Sequence, residues 1–387
     1  MFFIPIFIVF SLIVGVIIFP SESIESAKNG FRIWYDILIP SLLPFIIGAN
    51  LLISLGIVDI LGFIINPITS ILFRVSGKGA LIFVISMFSG YPVGTKLASE
   101  FRNRDKLSHF ESQRLVSFCS TSGPLFIIGS VCTGMLVNES LGYLMLICHY
   151  IGAILVGIIF RNYGNDTLKN SNLTFSETIK NSIQKRSNNS KGFFVLFGES
   201  IFNGINTLLT VCGFVIIFAV VFRILSLFNI INLLSSILLL PLSIFGFEKE
   251  IVTAIVSGLF EITTGCNEVS KTASPEIIKA SACSFLIGFS GLSILAQCCS
   301  FLSTSDIKVN LYIVSKFLHG IFASISTFIL YPVFQIDIST FYGTQLFSTQ
   351  SLSLYFNNFT DFVPFLIILY LLLLLIFINN RLIANKR

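Results

Sequence analysis

Ser89-Gly90-Tyr91-Pro92-Val93-Gly94-Thr95-Lys96 breaks an apolar run with two glycines and a proline. Proline removes a backbone donor and clashes with the preceding turn, and glycine takes conformations that other residues resist. A helix entering this stretch is therefore expected to unwind. Unwound backbone at membrane depth persists only where it is buried in protein or faces a wet cavity. Its freed amides and carbonyls, together with Ser89, Tyr91 and Thr95, are then placed to meet a polar solute.

The same Ser-Gly step recurs. Ser89-Gly90 and Ser122-Gly123 are 33 residues apart, Ser257-Gly258 and Ser290-Gly291 are again 33 apart, and the two sets are separated by 168. Val84/Val252, Thr95/Thr263 and Glu100/Glu268 match at that same offset of 168. The regularity implies duplication. Ser120-Thr121-Ser122-Gly123-Pro124 repeats the logic of the first break, while Gly288-Phe289-Ser290-Gly291 keeps the Ser-Gly and lacks the proline. Ser257-Gly258 leads into Glu261-Ile262-Thr263-Thr264-Gly265-Cys266-Asn267, a further polar interruption. One Ser-Gly step alone is commonly close helix packing through small residues. Four of them at matched offsets, flanked by breaks, point instead to the binding cavity of a transporter.

With 54% hydrophobic and 11% charged residues and a mean hydropathy of +0.91, the chain is no ordinary soluble domain, whose charged fraction is about a quarter. Apolar runs able to cross a bilayer as helices fall near 2–19, 34–54, 55–73, 79–97, 115–136, 141–160, 200–222, 225–247, 251–266, 281–302, 311–331 and 362–378. The fold class expected is an all-α polytopic membrane protein of about 12 transmembrane or re-entrant helices, with broken helices at its centre. The first run lacks a basic leader and a small-x-small cleavage site, so it reads as a retained helix, not a secretory signal. Eight cysteines carry no CxxC or CxxH spacing, and packing in helices is their plain explanation; no metal, disulfide or cofactor is expected.

The net charge of +5 sits in short loops beside apolar spans, which is positive-inside patterning and not a nucleic-acid surface. The loop 100–114, the polar segment 161–191 and the C-terminus carry the excess Lys and Arg, and even numbers of spans separate them. All three, and the N-terminus, are expected in the cytoplasm. Arg74 and Lys78 fall outside by this count. Moved by 168, the basic loop becomes 268–279, with Lys271 and Lys279 balanced by Glu268 and Glu276. Five elements per copy, an odd number, then put the second copy upside down: two inverted-topology repeats. The division expected is an N-terminal transmembrane helix at 1–30, a first repeat at 31–160, a mobile cytoplasmic linker at 161–192, a second repeat at 193–332, and an external loop with a C-terminal transmembrane helix at 333–387.

The candidate substrate-binding residues are Ser89, Gly90, Tyr91, Pro92, Gly94, Thr95, Lys96, Ser122, Gly123, Pro124, Ser257, Gly258, Glu261, Thr263, Thr264, Ser290 and Gly291. Lys96 and Glu261 read as the deepest ionisable groups, and intramembrane charges are functional candidates because they are expensive. Lys96 beside helix N-termini suits an anionic solute. Snorkelling to the cytoplasmic face, or pairing with Glu261, are the competing readings. His149 and His319, 170 apart, read either as packed core histidines or as a proton relay, and Gln297 as a helix-to-helix hydrogen bonder or a site residue. No HExxH, GxSxG or GxxxxGK[ST] occurs, so neither an enzyme nor an ATP-driven pump is expected.

Ser89 to Lys96, Ser122-Gly123-Pro124-Leu125-Phe126-Ile127-Ile128-Gly129 and Glu261-Ile262-Thr263-Thr264-Gly265 resemble the YlbJ-type sporulation integral membrane proteins, which are grouped with the nucleoside-recognition or Gate domain proteins of spore-forming Firmicutes. The resemblance runs over nearly the whole chain; Thr95 stands where alanine is expected. It implies a protein of the outer forespore membrane that moves dipicolinic acid, a small aromatic dianion. A nucleoside or other small solute, or a non-transporting sporulation scaffold, is the alternative. The partners expected are an anionic small molecule and the lipid bilayer, with a homo-oligomer or other sporulation proteins left open.

Overall fold

The computed structural model describes residues 3–55, 57–164, 191–245 and 247–342. Among them every regular element is a helix. In chain order these are α1 (Phe3–Ile18), α2 (Pro20–Ile33), a π-helical turn at Trp34–Leu38, α3 (Ile39–Ser54), α4 (Ile57–Phe73), α5 (Gly77–Ser89), α6 (Val93–Asn103), α7 (His109–Cys119), a π-helix at Leu125–Thr133, and α8 (Glu139–Phe160). After the linker come α9 (Phe193–Leu227), α10 (Ile230–Leu242), a short 3-10 turn at Ser243–Phe245, α11 (Lys249–Phe260), α12 (Ile262–Lys271), α13 (Glu276–Phe289), α14 (Gly291–Leu302) and α15 (Val309–Tyr342). The order from α5 through α8 recurs from α11 through α15: two short helices about a break, two more about a second break, then one long helix.

The all-helical class agrees with the sequence; the spans differ in detail. Glu139–Phe160, Phe193–Leu227, Glu276–Leu302 and Val309–Pro332 are long and apolar enough to cross a bilayer. Val9–Ile18 with Pro20–Asp36, bent by 108°, and Phe63–Phe73 with Gly77–Ser89, bent by 102°, bring the number to six among the described residues if each pair is one span. The runs 79–97, 115–136 and 251–266 are not single helices, because each divides at its break into shorter pieces. The run 2–19 turns sharply into α2, so the segment 1–30 is a bent pair and not a lone helix. α15 continues to Tyr342, into the stretch expected as an external loop. The expected span 362–378 and most of the linker, 165–190, lie outside the described residues.

Helix ends follow their local chemistry. The Ser108 side chain accepts from Glu111 N–H at 3.0 Å to start α7, and Asn138 does the same for Leu141 at the head of α8. The Glu111 carboxylate in turn accepts from Ser76 N–H at 2.6 Å, tying the start of α5 to α7. Trp34, the one tryptophan, donates from Nε1 to Leu208 O at 2.8 Å and fixes the α2 end against α9.

α15 packs along both α8 and α13. A Cβ built on Gly288 of α13 would stand 2.7 Å from the Gly320 Cα, and one on Gly152 of α8 would stand 3.0 Å from the His319 ring. Such backbone-close approach through small residues is how helices associate where lipid removes the hydrophobic drive. It places one face of α15, carrying Tyr312, Lys316, His319, Ala323 and Thr327, in full burial.

At the periphery Arg102, near the end of α6, donates from Nε and Nη2 to both oxygens of Asp306 at 2.8 and 2.9 Å, joining α6 to the α14–α15 loop. That guanidinium, with His109 beside it, holds the Asp306 carboxyl at about 2. Because the folded value lies below the unfolded one of about 3.9, the contribution is complete above the latter and is lost as pH falls through the former. Asp306→Asn is thus expected to lower thermal stability in detergent by the same amount from pH 7 down to about 5, with the gap closing only toward pH 2. Partial exposure of the pair keeps the effect within about 1 kcal/mol. A difference that has vanished by pH 5 contradicts the assignment.

Candidate functional site

The first break is built on Gly90, whose backbone at φ 71, ψ −167 lies in a region essentially restricted to glycine. Its N–H still donates to Ser86 O at 2.9 Å, closing α5, and Val93 N–H donates back to Gly90 O at 3.2 Å before α6 begins. The second break runs through Ser120-Thr121-Ser122-Gly123 between α7 and the π-helix. The two breaks touch: a Cβ on Gly90 would lie 2.9 Å from Gly123 N, and one on Gly123 would lie 3.2 Å from Phe88 O.

The second pair of breaks crosses in the same way. Gly291 has φ 68, and a Cβ there would lie 2.9 Å from Gly258 O. The Ser290 backbone is also left-handed, at φ 76. The position of the third break differs from the sequence reading, however. Ser257-Gly258 remains inside α11, and the chain breaks at Glu261, which is extended at φ −141, ψ 116. The following residues, expected as a polar interruption, are the helix α12. Glu261 makes it so: its carboxylate accepts from Thr263 N–H at 3.0 Å, Thr264 N–H at 2.6 Å and the Thr264 hydroxyl at 2.8 Å, capping α12.

Between the breaks lies a cleft of about 650 Å³, counted out to its mouth. Ser89, Gly90, Tyr91, Ser122, Gly123, Glu261 and Thr263 line it, as does Gln297 from α14. Leu42 and Ile46 of α3 and Val211 and Val215 of α9 form its apolar wall. The Ser89 hydroxyl is buried without a partner, an open donor and acceptor on the lining. The mix of apolar walls with a few convergent polar groups is the usual composition of small-molecule pockets.

The other sequence candidates stand back from the cleft. Thr95 donates from Oγ1 to Pro92 O at 2.8 Å, and Pro92 and Gly94 form the buried start of α6. Pro124 opens the π-helix, Thr264 serves the Glu261 cap, and Ser257, Gly258, Ser290 and Gly291 build the second crossing. Lys96 is not a deep charge. It lies exposed with Nζ 5.9 Å from the centre of the Phe301 ring, and Glu261 is engaged by α12 instead of by it.

The buried lysine is Lys316 on α15, fully enclosed and marked by none of the sequence motifs. Its Nζ donates to Ser120 O at 2.8 Å and to Tyr91 Oη at 3.1 Å, stands 3.1 Å from His319 Nδ1, and sits 4.8 Å from the centre of the Tyr91 ring. Tyr91 donates onward to Ile287 O at 2.8 Å. His319 Nε2 lies 2.9 Å from His149 O, the two imidazole centroids are 4.4 Å apart, and Ser122 N–H donates to His149 Nε2 at 2.9 Å. Ser120 Oγ meets Tyr312 Oη at 2.8 Å. Both histidines are therefore members of one polar network that ends at Tyr91 and Ser122 on the cleft wall. Its sequence signal was present: Tyr312, Lys316 and His319 share one helical face inside an apolar run.

A helical polytopic membrane protein with a polar cleft between crossed chain breaks is what fold and site define. The chain is 35% identical over 323 residues, covering 82% of its length and 79% of the relative, to the sporulation integral membrane protein YlbJ of Bacillus subtilis (strain 168). It belongs to the family of YlbJ-type sporulation integral membrane proteins. No family model matches it. Among solved structures it is similar to CNTnw in an inward-facing substrate-bound state, at 14% identity, covering 85% of this chain and 90% of that one with a TM-score of 0.48. Two further CNTnw structures, in an intermediate and an outward-facing state, give 0.47 and 0.46.

Proposed function

We propose that the protein carries a small organic anion, with dipicolinic acid as the first candidate, across the outer forespore membrane. The observation that carries this reading is Lys316: a fully buried lysine, without an ion pair among the described residues, held directly behind Tyr91 on the wall of the cleft. Buried charges are costly unless paired, and an anion in the cleft is the pairing partner the protein itself does not provide. Glu261 does not oppose it strongly, because three hydrogen bonds from the head of α12 already engage its carboxylate. The Tyr91 ring offers a stacking face to an aromatic dianion, and Ser89, Ser122 and Gln297 offer hydrogen bonds.

The matched crossings, Gly90 on Gly123 and Gly258 on Gly291, support the reading as two repeats, and the odd number of elements supports their inversion. In this scheme both termini are cytoplasmic, and one repeat moving against the other exposes the cleft alternately. Transport down or against a gradient then needs no enzymatic step.

Uptake of dipicolinate by purified protein in liposomes tests the proposal. Wild type is expected to take it up saturably, and Ser89→Leu or Gln297→Leu, which fill the cleft with apolar bulk, to reduce uptake at least about tenfold at equal protein level, about 1.4 kcal/mol of lost binding. Uptake of nucleosides with none of dipicolinate overturns the anion assignment.

A further inference from the structure

Resting on that reading, we infer that Lys316 and His319, with His149 beside them, form a proton-binding site loaded when an anion occupies the cleft, so that transport of the anion is proton-linked. Hydrogen-bond roles around the network fix where the proton sits. The His149 carbonyl only accepts, so His319 Nε2, 2.9 Å away, carries a hydrogen. In the neutral ring Nδ1 is then a bare lone pair, facing Lys316 Nζ at 3.1 Å. Lys316 as an ammonium has three hydrogens and three acceptors in place: Ser120 O, Tyr91 Oη and His319 Nδ1. The pair thus has a place for one excess proton. If it moves, one Lys316 N–H bond breaks as a His319 Nδ1–H bond forms, and the charge of the pair stays +1.

Loss of that proton leaves a neutral amine and a neutral imidazole, still hydrogen-bonded. A second proton has only His149 Nε2 to go to, where it would displace the Ser122 N–H that donates there at 2.9 Å. Because Ser122 lines the cleft, that displacement would alter the site itself. The network therefore touches the cleft at Tyr91 through Lys316 and at Ser122 through His149. His149 Nδ1 is buried without a partner, as expected if it bears the hydrogen of a neutral ring.

The groups facing the pair supply no permanent counter-charge. They are Tyr91 from the break after α5, Cys119 at the end of α7, His149 on α8, Cys298 on α14 and Tyr312 on α15 itself. No Asp or Glu among the described residues lies within ion-pair distance of Lys316. With the cleft empty, an unpaired charge here is expensive; with an anion against Tyr91, it is compensated. Occupancy and protonation accordingly favour one another, and by reciprocity a proton raises anion affinity as much as the anion raises proton affinity.

The test uses full-length protein in liposomes holding a trapped pH dye, with the membrane potential clamped. Three readouts are taken: exchange of external labelled dipicolinate for internal unlabelled dipicolinate, net accumulation under an imposed pH gradient, and internal acidification on adding dipicolinate. Wild type is expected to show all three, with accumulation rising about tenfold per pH unit of inward gradient for one coupled proton. His319→Gln keeps an acceptor for Lys316 but removes the imidazole that shares the proton with it. It is expected to lower the gradient dependence and the acidification more than it lowers exchange. Wild-type exchange with accumulation indifferent to the gradient overturns the proton link and leaves the anion reading standing; a His319→Gln protein whose exchange and accumulation fall together, or do not fall at all, removes His319 from the proton site. Absence of exchange in wild type removes both.

Discussion

Lys316→Met is expected to reduce dipicolinate uptake at least about 30-fold at equal membrane protein. An anion stacked beyond the Tyr91 ring, which is itself 4.8 Å from Nζ, would lie roughly 8 Å from the charge. At an effective dielectric of about 20, that separation gives about 2 kcal/mol per unit of anion charge, or about 30-fold, and a dianion feels it twice. Methionine matches the length of the lysine stem and leaves Ser120 O, Tyr91 Oη and His319 Nδ1 without their donor, so some loss of stability accompanies the loss of charge. Monodisperse behaviour in detergent separates the two effects. Lys316→Arg retains the charge but needs more room in a fully buried pocket, and is expected to bind better than the methionine variant while transporting poorly. If Lys316→Met takes up dipicolinate at the wild-type rate, the cation does not select the substrate. Lys96→Met, changing an exposed residue, is the matched control and is expected to change uptake little.

The contrast between these two lysines shows what the sequence could and could not deliver. The Ser-Gly steps located the crossings because close backbone approach at Gly90, Gly123 and Gly291 leaves no room for a side chain, and that demand is written directly as glycine. Ser89, Tyr91, Ser122, Glu261 and Thr263 followed from adjacency to those steps, and they line the cleft. Lys96 was equally adjacent, yet α6 restarts at Val93 and its rotation turns Lys96 outward. Adjacency in sequence does not specify which face a new helix presents after a break. Lys316 failed in the opposite way. It sits far from any motif, in an apolar run whose average hydrophobicity hides one charge, and only packing of α15 between α8 and α13 brings it behind Tyr91. Glu261 was read as a site charge and lines the cleft, but its capping of α12 depends on the exact start of that helix, which the polar string 261–267 did not reveal.

Gly90→Ala tests whether the crossed breaks are the foundation of the site. Alanine at φ 71, ψ −167 costs about 1–3 kcal/mol in backbone strain, and its Cβ, 2.9 Å from Gly123 N, meets backbone that cannot rotate away, adding about 1–3 kcal/mol of overpacking. The expected result is a protein with clearly lowered thermal stability and uptake reduced at least about tenfold. Gly291→Ala, at φ 68 with its Cβ 2.9 Å from Gly258 O, is expected to do comparable harm from the other crossing. Gly213→Ala on α9 provides the opposite sign. Nothing lies within 4 Å of its Cβ, and replacing a mid-helix glycine should stabilise by about 0.5–1 kcal/mol. Because both crossings meet the same cleft, comparable damage from residues 201 apart would mean that the two halves build one site. Wild-type uptake in both Gly90→Ala and Gly291→Ala would instead show that the breaks tolerate a side chain, and the cleft between them would lose its claim to bind the substrate.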